Sequence, residues 1–321
     1  MKLSVFNPVL ADKSLEEACK YLSASGIHWM EMGCGGYPGK AHCDPEQLCS
    51  DPKKLEQFQK ILEKYDISLP ALSVHGNPIH PDKSVAARFH LDFQNAVLLA
   101  QKLGVTRIVT FSGCPGGSPD DKTPNWVTCS WPEDYKNILE YQWDKVLIPY
   151  WKETAAWAAE HGIEKIAFEM HPGFCVYNPE TLLRLRRAVG PILGANLDPS
   201  HLFWQGIDPV AAIRALSGAI HFFHAKDTKI NTYNTAANGV LDVRHYGDEA
   251  QRSWIFRTVG YGHDYGVWKD IISTLRMAGY DDVISIEHED SLMSPLEGLQ
   301  KAIVFLKQVL IFEDAGPIYW A

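Results

Sequence analysis

The chain has 321 residues, 46% hydrophobic and 21% charged, with a formal net charge of −9. That apolar content supports a large core and excludes a disordered chain, while no apolar run reaches the ~18 residues a membrane span needs. No basic cluster offsets the acidic balance, which is evidence against a nucleic-acid partner, and the seven cysteines lie scattered without a C-x-x-C pair, as in a cytoplasmic protein with reduced thiols.

The opening run MKLSVFNPVL is too short for a secretory leader. Short β-branched runs then alternate with longer helical patterns. Strands are expected over 3–6, 27–32, 68–74, 105–111, 165–169, 192–198, 219–224 and 283–287. Helices are expected over 14–25, 52–65, 84–103, 143–161, 179–189, 209–216, 266–278 and 295–311. The first of these starts with a capping box, Ser14 followed three residues later by Glu17. Two long loops are expected, 112–131 and 228–262, the former rich in Pro, Gly and Trp.

Strands that alternate with helices must run parallel, because each helix carries the chain back across the sheet. Eight such units in a chain of this length predict an α/β fold, a single (β/α)8 TIM barrel domain over 1–321. An open doubly wound sheet would need a Gly-rich turn after its first strand, and residues 3–12 contain no glycine. Both long loops follow strands, so they belong to the C-terminal face, where barrels carry their active sites.

The last four predicted strands end alike: Phe168-Glu169-Met170-His171-Pro172, Asn196-Leu197-Asp198-Pro199-Ser200-His201, Phe222-Phe223-His224-Ala225-Lys226-Asp227 and Ser285-Ile286-Glu287-His288-Glu289-Asp290. Each apolar run stops at a carboxylate or an imidazole. Neighbouring strands of a closed barrel converge these side chains, and buried carboxylates repel one another unless a cation lies between them. Glu169, Asp198, His224 and Glu287 form an oxygen-rich set that predicts a divalent ion, Mn²⁺ first, with Mg²⁺, Co²⁺ or Zn²⁺ as alternatives.

In this order and spacing, FEMHP, NLDPSH, HAKD and SIEHED resemble the xylose-isomerase-like barrel superfamily, in particular its sugar (phosphate) isomerase/epimerase branch. The resemblance implies a metal held by Glu169, Asp198, His224 and Glu287, with Glu169 and Glu287 also serving as the proton-transfer pair. It implies a substrate contact for His201, three residues after the aspartate. The arginine that tagatose 3-epimerases carry six residues after the metal histidine is here Ile230, so the chain departs from that pattern where substrate is recognised. The superfamily's AP endonucleases carry an Asp-x-His before an Ile-Gly-x-Gly stretch. This chain has Trp254-Ile255-Phe256 before Val259-Gly260-Tyr261-Gly262, and Trp254 and Phe256 cannot hold a cation.

Further substrate contacts are expected from His75, which ends the third strand, from His171, and from Asp227 and Arg257. Asp227 and Arg257 also have structural readings, a turn and a salt bridge. Strand alternation turns His221 and His288 away from the site. Trp126, Trp131 and Trp204 are candidates to stack on a sugar face. The expected activity is metal-dependent isomerisation or epimerisation of a sugar or keto-sugar through an enediolate. A lyase acting on 3-keto glycosides by β-elimination is the alternative, a sugar-binding barrel without catalysis a third reading, and an AP endonuclease-like nuclease a more remote one. No Gly-rich phosphate cradle is visible, which favours an unphosphorylated substrate. A small-molecule substrate, no membrane partner and a homo-oligomer complete the expectations.

Overall fold

In the computed structural model, which describes residues 1–318 and 320, β1 (Lys2–Phe6) pairs with β2 (Trp29–Gly33) on one side and with β10 (Val283–Ile286) on the other. The wall between them is built from β3 (Leu72–Ser73), β4 (Arg107–Thr110), β5 (Lys165–Glu169), β6 (Leu193–Leu197) and β7 (Ile220–Ala225). The order β1-β10-β7-β6-β5-β4-β3-β2 closes the barrel, and every pairing in it is parallel. This is the (β/α)8 architecture expected from the sequence.

The strand ladder is shorter than expected at β3. Pro70 has no N–H to donate, so the run breaks there, although Ser68 still bridges to Trp29 in parallel. The first outer helix, Leu15–Ala24, begins at the expected capping box. The Glu17 N–H donates to Ser14 Oγ at 3.3 Å, and the Ser14 N–H donates to Glu17 Oε2 at 2.9 Å.

Alternation along the strands sorts side chains between two cores. Phe168 of β5 points outward and meets Trp151 edge-on at 4.6 Å between ring centroids. Its neighbours Ala167 and Glu169 point inward. Ala167 joins Ala71, Val109, Phe222 and Val283 in a small cluster that plugs the barrel beneath the site.

The long loops hold more structure than the sequence suggested. The helix expected at 143–161 starts earlier, as Glu133–Tyr141, and passes through a π-helical stretch, Gln142–Leu147, before Ile148–Glu160. At that wide turn Gln142 Nε2 donates to the carbonyls of Pro115, Gly116 and Asn125 at 3.1, 3.2 and 2.6 Å, pinning the loop after β4. The segment expected as a loop over 228–262 contains an antiparallel pair, β8 (Asp227–Ile230) with β9 (Trp254–Arg257), and a helix, Thr232–Asn238. Only Lys226 separates β8 from β7, so the two read in the sequence as one strand followed by loop.

Candidate metal centre

Inward alternation brings Glu169 from β5 and His224 from β7 to the same end of the barrel, with Asp198 just past β6 and Glu287 just past β10. One donor atom from each of the four lies within 4.8 Å of the others. All four are removed from solvent; even the most open, Glu287, has a side chain only 13% exposed. Asp198 caps the helix Pro199–Trp204, its Oδ1 accepting the Ser200 N–H at 2.8 Å. Its other oxygen, Oδ2, is buried and makes no hydrogen bond. That oxygen has only the Lys226 ammonium at 3.2 Å and His201 Nε2 at 3.4 Å beside it, and with the two other carboxylates and the imidazole it makes a donor set that fits a divalent cation preferring oxygen.

Glu31, at the middle of β2, belongs to the same hydrogen-bonded group and was missed by strand-end reasoning. It is fully buried and accepts the His224 Nε2–H, with both oxygens at 3.0 Å. Ser285 Oγ donates to it at 2.6 Å, and Ser73 Oγ donates to its other oxygen. With Nε2 committed to Glu31, His224 turns Nδ1 toward the cluster, 3.2 Å from Glu287 Oε2 and 3.4 Å from Glu169 Oε2. This is the carboxylate–imidazole arrangement that orients metal-binding histidines. The signal was present in Met30-Glu31-Met32, a carboxylate inside an apolar strand.

Lys226 supplies a second unforeseen element. Its buried ammonium lies 2.8 Å from Glu287 Oε2, 2.9 Å from Glu289 Oε2 and 3.2 Å from Asp198 Oδ2, over the Phe256 ring. Burial works against the charged lysine, but these carboxylates hold its pKa well above the ordinary value. In return, despite burial, Lys226 and then His224 hold the Glu287 carboxyl down to about 2. Glu169 is likewise held well below the usual range against burial, by the imidazoles of His201, His224 and His75 beside it. Burial raises Asp198, and the attraction of Lys226 and His201 does not offset it. Burial also disfavours a charged His224, but Glu31 and Glu287 outweigh it and hold that histidine well above its ordinary pKa.

Of the expected substrate contacts, the structure brings three to the site. His201 Nε2 donates to Glu169 Oε1 at 2.9 Å. His75 Nε2 lies 3.0 Å from Glu169 Oε2. His171 lines the pocket above the cluster, where burial, followed by the nearby His201, pushes its pKa down to about 3. Asp227 and Arg257 are not brought there. The Asp227 carboxylate accepts the N–H groups of Thr228, Gly260, Gly262 and His263, together with His263 Nδ1–H and Trp268 Nε1–H. It closes a turn, and a Cβ on Gly262 would run into the Thr228 carbonyl oxygen. Arg257 Nε donates to Asp290 at 3.0 Å, and its guanidinium lies over Tyr261.

The pocket is a cavity of about 210 Å³ with one apolar wall, formed by Phe6, Val9, Tyr37, Pro38 and Phe111. His288 lines it together with Glu287 and Glu289, contrary to strand alternation, because β10 ends at Ile286 and the rule lapses there. None of the three tryptophans expected to stack on substrate lines this pocket. Trp204 stacks on Trp254 at 4.6 Å in a buried cluster with Phe256, and Ile230 packs against it. Trp126 meets Tyr177 edge-on at 5.5 Å beside a separate cavity, and Trp131 is 79% exposed.

Among solved structures, the IOLI protein with a bound zinc atom superposes with a TM-score of 0.67 at 19% identity, covering 97% of this chain and 98% of that one. D-psicose 3-epimerase from Clostridium cellulolyticum H10, solved with D-tagatose, superposes with a TM-score of 0.61 at 12% identity, covering 97% and 99%. Both share the barrel fold. The uncharacterized protein YfiH of Bacillus subtilis (strain 168) is 42% identical over 313 residues, 97% of this chain and 99% of that protein. A family model for the xylose isomerase-like TIM barrel matches residues 19–309, nearly the whole wall and its helices. With its closed parallel barrel and this match, the chain is a member of the xylose isomerase-like TIM barrel family.

Proposed function

We propose that this protein is a divalent-metal-dependent isomerase or epimerase of a sugar or keto-sugar, working by proton transfer between two carboxylates. The observation that carries this reading is the convergence of Glu169, Asp198, His224 and Glu287 beneath a pocket that also receives Lys226. Sugar epimerases and a zinc-bound protein among the structures of the same fold support it. These four residues would hold the ion, and their oxygen-rich set favours Mn²⁺. Bound there, the ion supplies Lewis acidity to a substrate carbonyl and its neighbouring hydroxyl.

The remaining work falls to the chain's own groups. Glu169 and Glu287 come from barrel positions on either side of β7, so one removes the proton beside the carbonyl and the other returns it. His201 and His75 fix the Glu169 oxygens, and Lys226 fixes Glu287 Oε2 at 2.8 Å. The Lys226 ammonium also faces the pocket, where it stabilises negative charge developing on a substrate oxygen. The barrel wall and the loops above it limit water around that proton.

The test is incubation of metal-loaded enzyme with a panel of ketoses and 3-keto glucosides in D₂O. Deuterium is expected at the carbon next to the carbonyl, with mass otherwise conserved. Glu169→Gln and Glu287→Gln are each expected to slow that exchange by about 10²–10⁴. Full exchange in both variants would remove the two-carboxylate assignment. A lyase is the second reading, favoured by the apolar wall of Phe6, Tyr37 and Phe111, which suits an aglycone. It would release a fragment from the glucosides, whereas an isomerase would not.

A further inference from the structure

Two thiols stand together outside the metal centre. Cys114 follows β4, and Cys175 lies between β5 and the helix Pro179–Val189. The Cys175 N–H donates to the Gly113 carbonyl at 3.0 Å and the Val176 N–H to Ser112 Oγ at 2.9 Å, so the two segments run side by side. The Asn77 side chain fixes the Cys114 backbone, its Oδ1 accepting the N–H at 3.0 Å and its Nδ2 donating to the carbonyl at 2.8 Å. Both cysteines are free and buried. Both line one cavity of about 180 Å³, walled also by Trp126, Gln142, Trp143 and Arg184. No residue lines both this cavity and the pocket above Glu169 and Glu287.

The pair is asymmetric. The Cys175 thiol beside it holds Cys114 below the ordinary thiol range against burial, whereas Cys114 and burial push Cys175 well above that range. Cys114 is therefore the readier thiolate, and the thiolate is the nucleophile. Cys34 and Cys43 are the contrast within the same chain. They are buried too, burial pushes both thiols up, and neither lines this cavity. A cysteine that is merely buried is inert, whereas Cys114 has a partner thiol and room for a small reactant.

From this geometry we infer that Cys114 and Cys175 are a peroxide-sensitive pair that closes into a reversible disulfide. The oxidant is a hydroperoxide; hydrogen peroxide, at about two water volumes or ~60 Å³, fits the cavity. The Cys114 sulfur attacks one peroxide oxygen. An S–O bond forms, the O–O bond breaks, and the leaving hydroxide takes the Cys175 proton as water. The Cys175 sulfur then attacks the Cys114 sulfenic acid. The S–S bond forms, the S–O bond breaks, and the second hydroxide leaves as water with the proton Cys114 had given up. Two thiols are oxidised and one peroxide is reduced to two waters. A dithiol reverses the bond by exchange. The disulfide would brace one wall of the site, because Phe174, next to Cys175, stacks on Phe111 at 4.2 Å and Phe111 lines the pocket.

The pair stands apart from the metal reading and is tested without turnover. Full-length protein is treated with hydrogen peroxide, quenched with catalase, alkylated with iodoacetamide in denaturant and digested with trypsin without reductant. Tryptic peptides 108–122 and 166–184 each carry one cysteine, Cys114 and Cys175. Mass spectrometry is expected to find them joined, two hydrogens lighter than their sum, and parted again by dithiothreitol. Cys34 and Cys43 are expected to come back alkylated, with Cys114 lost at least ~10-fold faster than either. In Cys175→Ser, checked for an unchanged circular dichroism spectrum, Cys114 is expected to stop at the sulfenic acid and take up dimedone. Cys114 recovered as a free thiol while the exposed Cys129 has been oxidised overturns the proposal. So does Cys114 joined to any cysteine other than Cys175.

Discussion

The Glu31 carboxylate sits behind His224 and receives its Nε2–H, so the histidine presents Nδ1 to the other ligands without rotating. Glu31→Gln keeps the shape but replaces a charged acceptor with a neutral one. Divalent-ion affinity is expected to fall about 10–100-fold, a common cost of losing such a support; competition against a fluorescent chelator reads it. Lys226 acts in the opposite direction. Its ammonium occupies the charge environment that an ion would otherwise share, 3.2 Å from Asp198 Oδ2 and 2.8 Å from Glu287 Oε2. Lys226→Met leaves buried carboxylates without their partner, so the metal-free protein is expected to lose about 3–5 kcal/mol of stability. The same variant is expected to bind a divalent ion more tightly, because the competing cation is gone. Denaturation of the stripped protein and calorimetric metal titration measure the two effects, and a fall in both would contradict this account of the lysine.

Among the elements, the β8–β9 pair shows how one residue holds a flap in place. Asp227 begins β8, and its two oxygens accept from six donors spread over Thr228, Gly260, Gly262, His263 and Trp268. That carboxylate ties the end of β9 and the Val-Gly-Tyr-Gly turn to the top of β7. Phe256 of β9 then forms part of the wall around the site, touching both His201 and Lys226. Asp227→Ala strands several buried N–H groups, each costing about 1–3 kcal/mol when left unpaired. A loss of at least ~3 kcal/mol in urea denaturation is expected, without loss of the metal ligands themselves. The π-helical turn at Gln142 does a related job on the opposite side. One side-chain amide donates to three loop carbonyls and anchors the segment that follows β4.

At the scale of the molecule, barrel closure concentrates charge. Glu169, Asp198 and Glu287 come from β5, the end of β6 and the end of β10, yet they meet at one end of a single wall, with Glu31 of β2 joined to them through His224. The strands beneath are anchored by the apolar plug of Ala71, Val109, Ala167, Phe222 and Val283, so the carboxylates cannot spread to relieve repulsion. An ion that binds only the folded barrel must stabilise it. At 100 times its dissociation constant the gain is about 2.7 kcal/mol, and the melting temperature of Mn²⁺-loaded protein is expected to exceed that of stripped protein by several degrees. Asp198→Asn, which removes one of those carboxylate charges, is expected to abolish most of that rise.

Local patterns along the chain were enough for the barrel and for the convergence of Glu169, Asp198, His224 and Glu287. Period-two apolar runs, helix caps such as Ser14 with Glu17, and carboxylates or imidazoles at four successive strand ends are all written in neighbouring residues. The parallel order follows from helices alternating with strands, so adjacency of those ends needed no coordinates. What the linear chain left undecided depends on partners distant in sequence. Glu31 meets His224 across 193 positions, and nothing beside Glu31 announces that pairing. The roles of Asp227 and Arg257 turned on whether a loop folds back as a β8–β9 pair, and their charges go to that fold instead of the pocket. Trp204 and His288 were misread for a similar reason. A stacked Trp254 closes off the first, and the end of β10 frees the second from strand alternation. Periodicity and strand ends are properties of adjacent residues, whereas the direction of a buried side chain is settled by whichever donors and rings the closed barrel places around it.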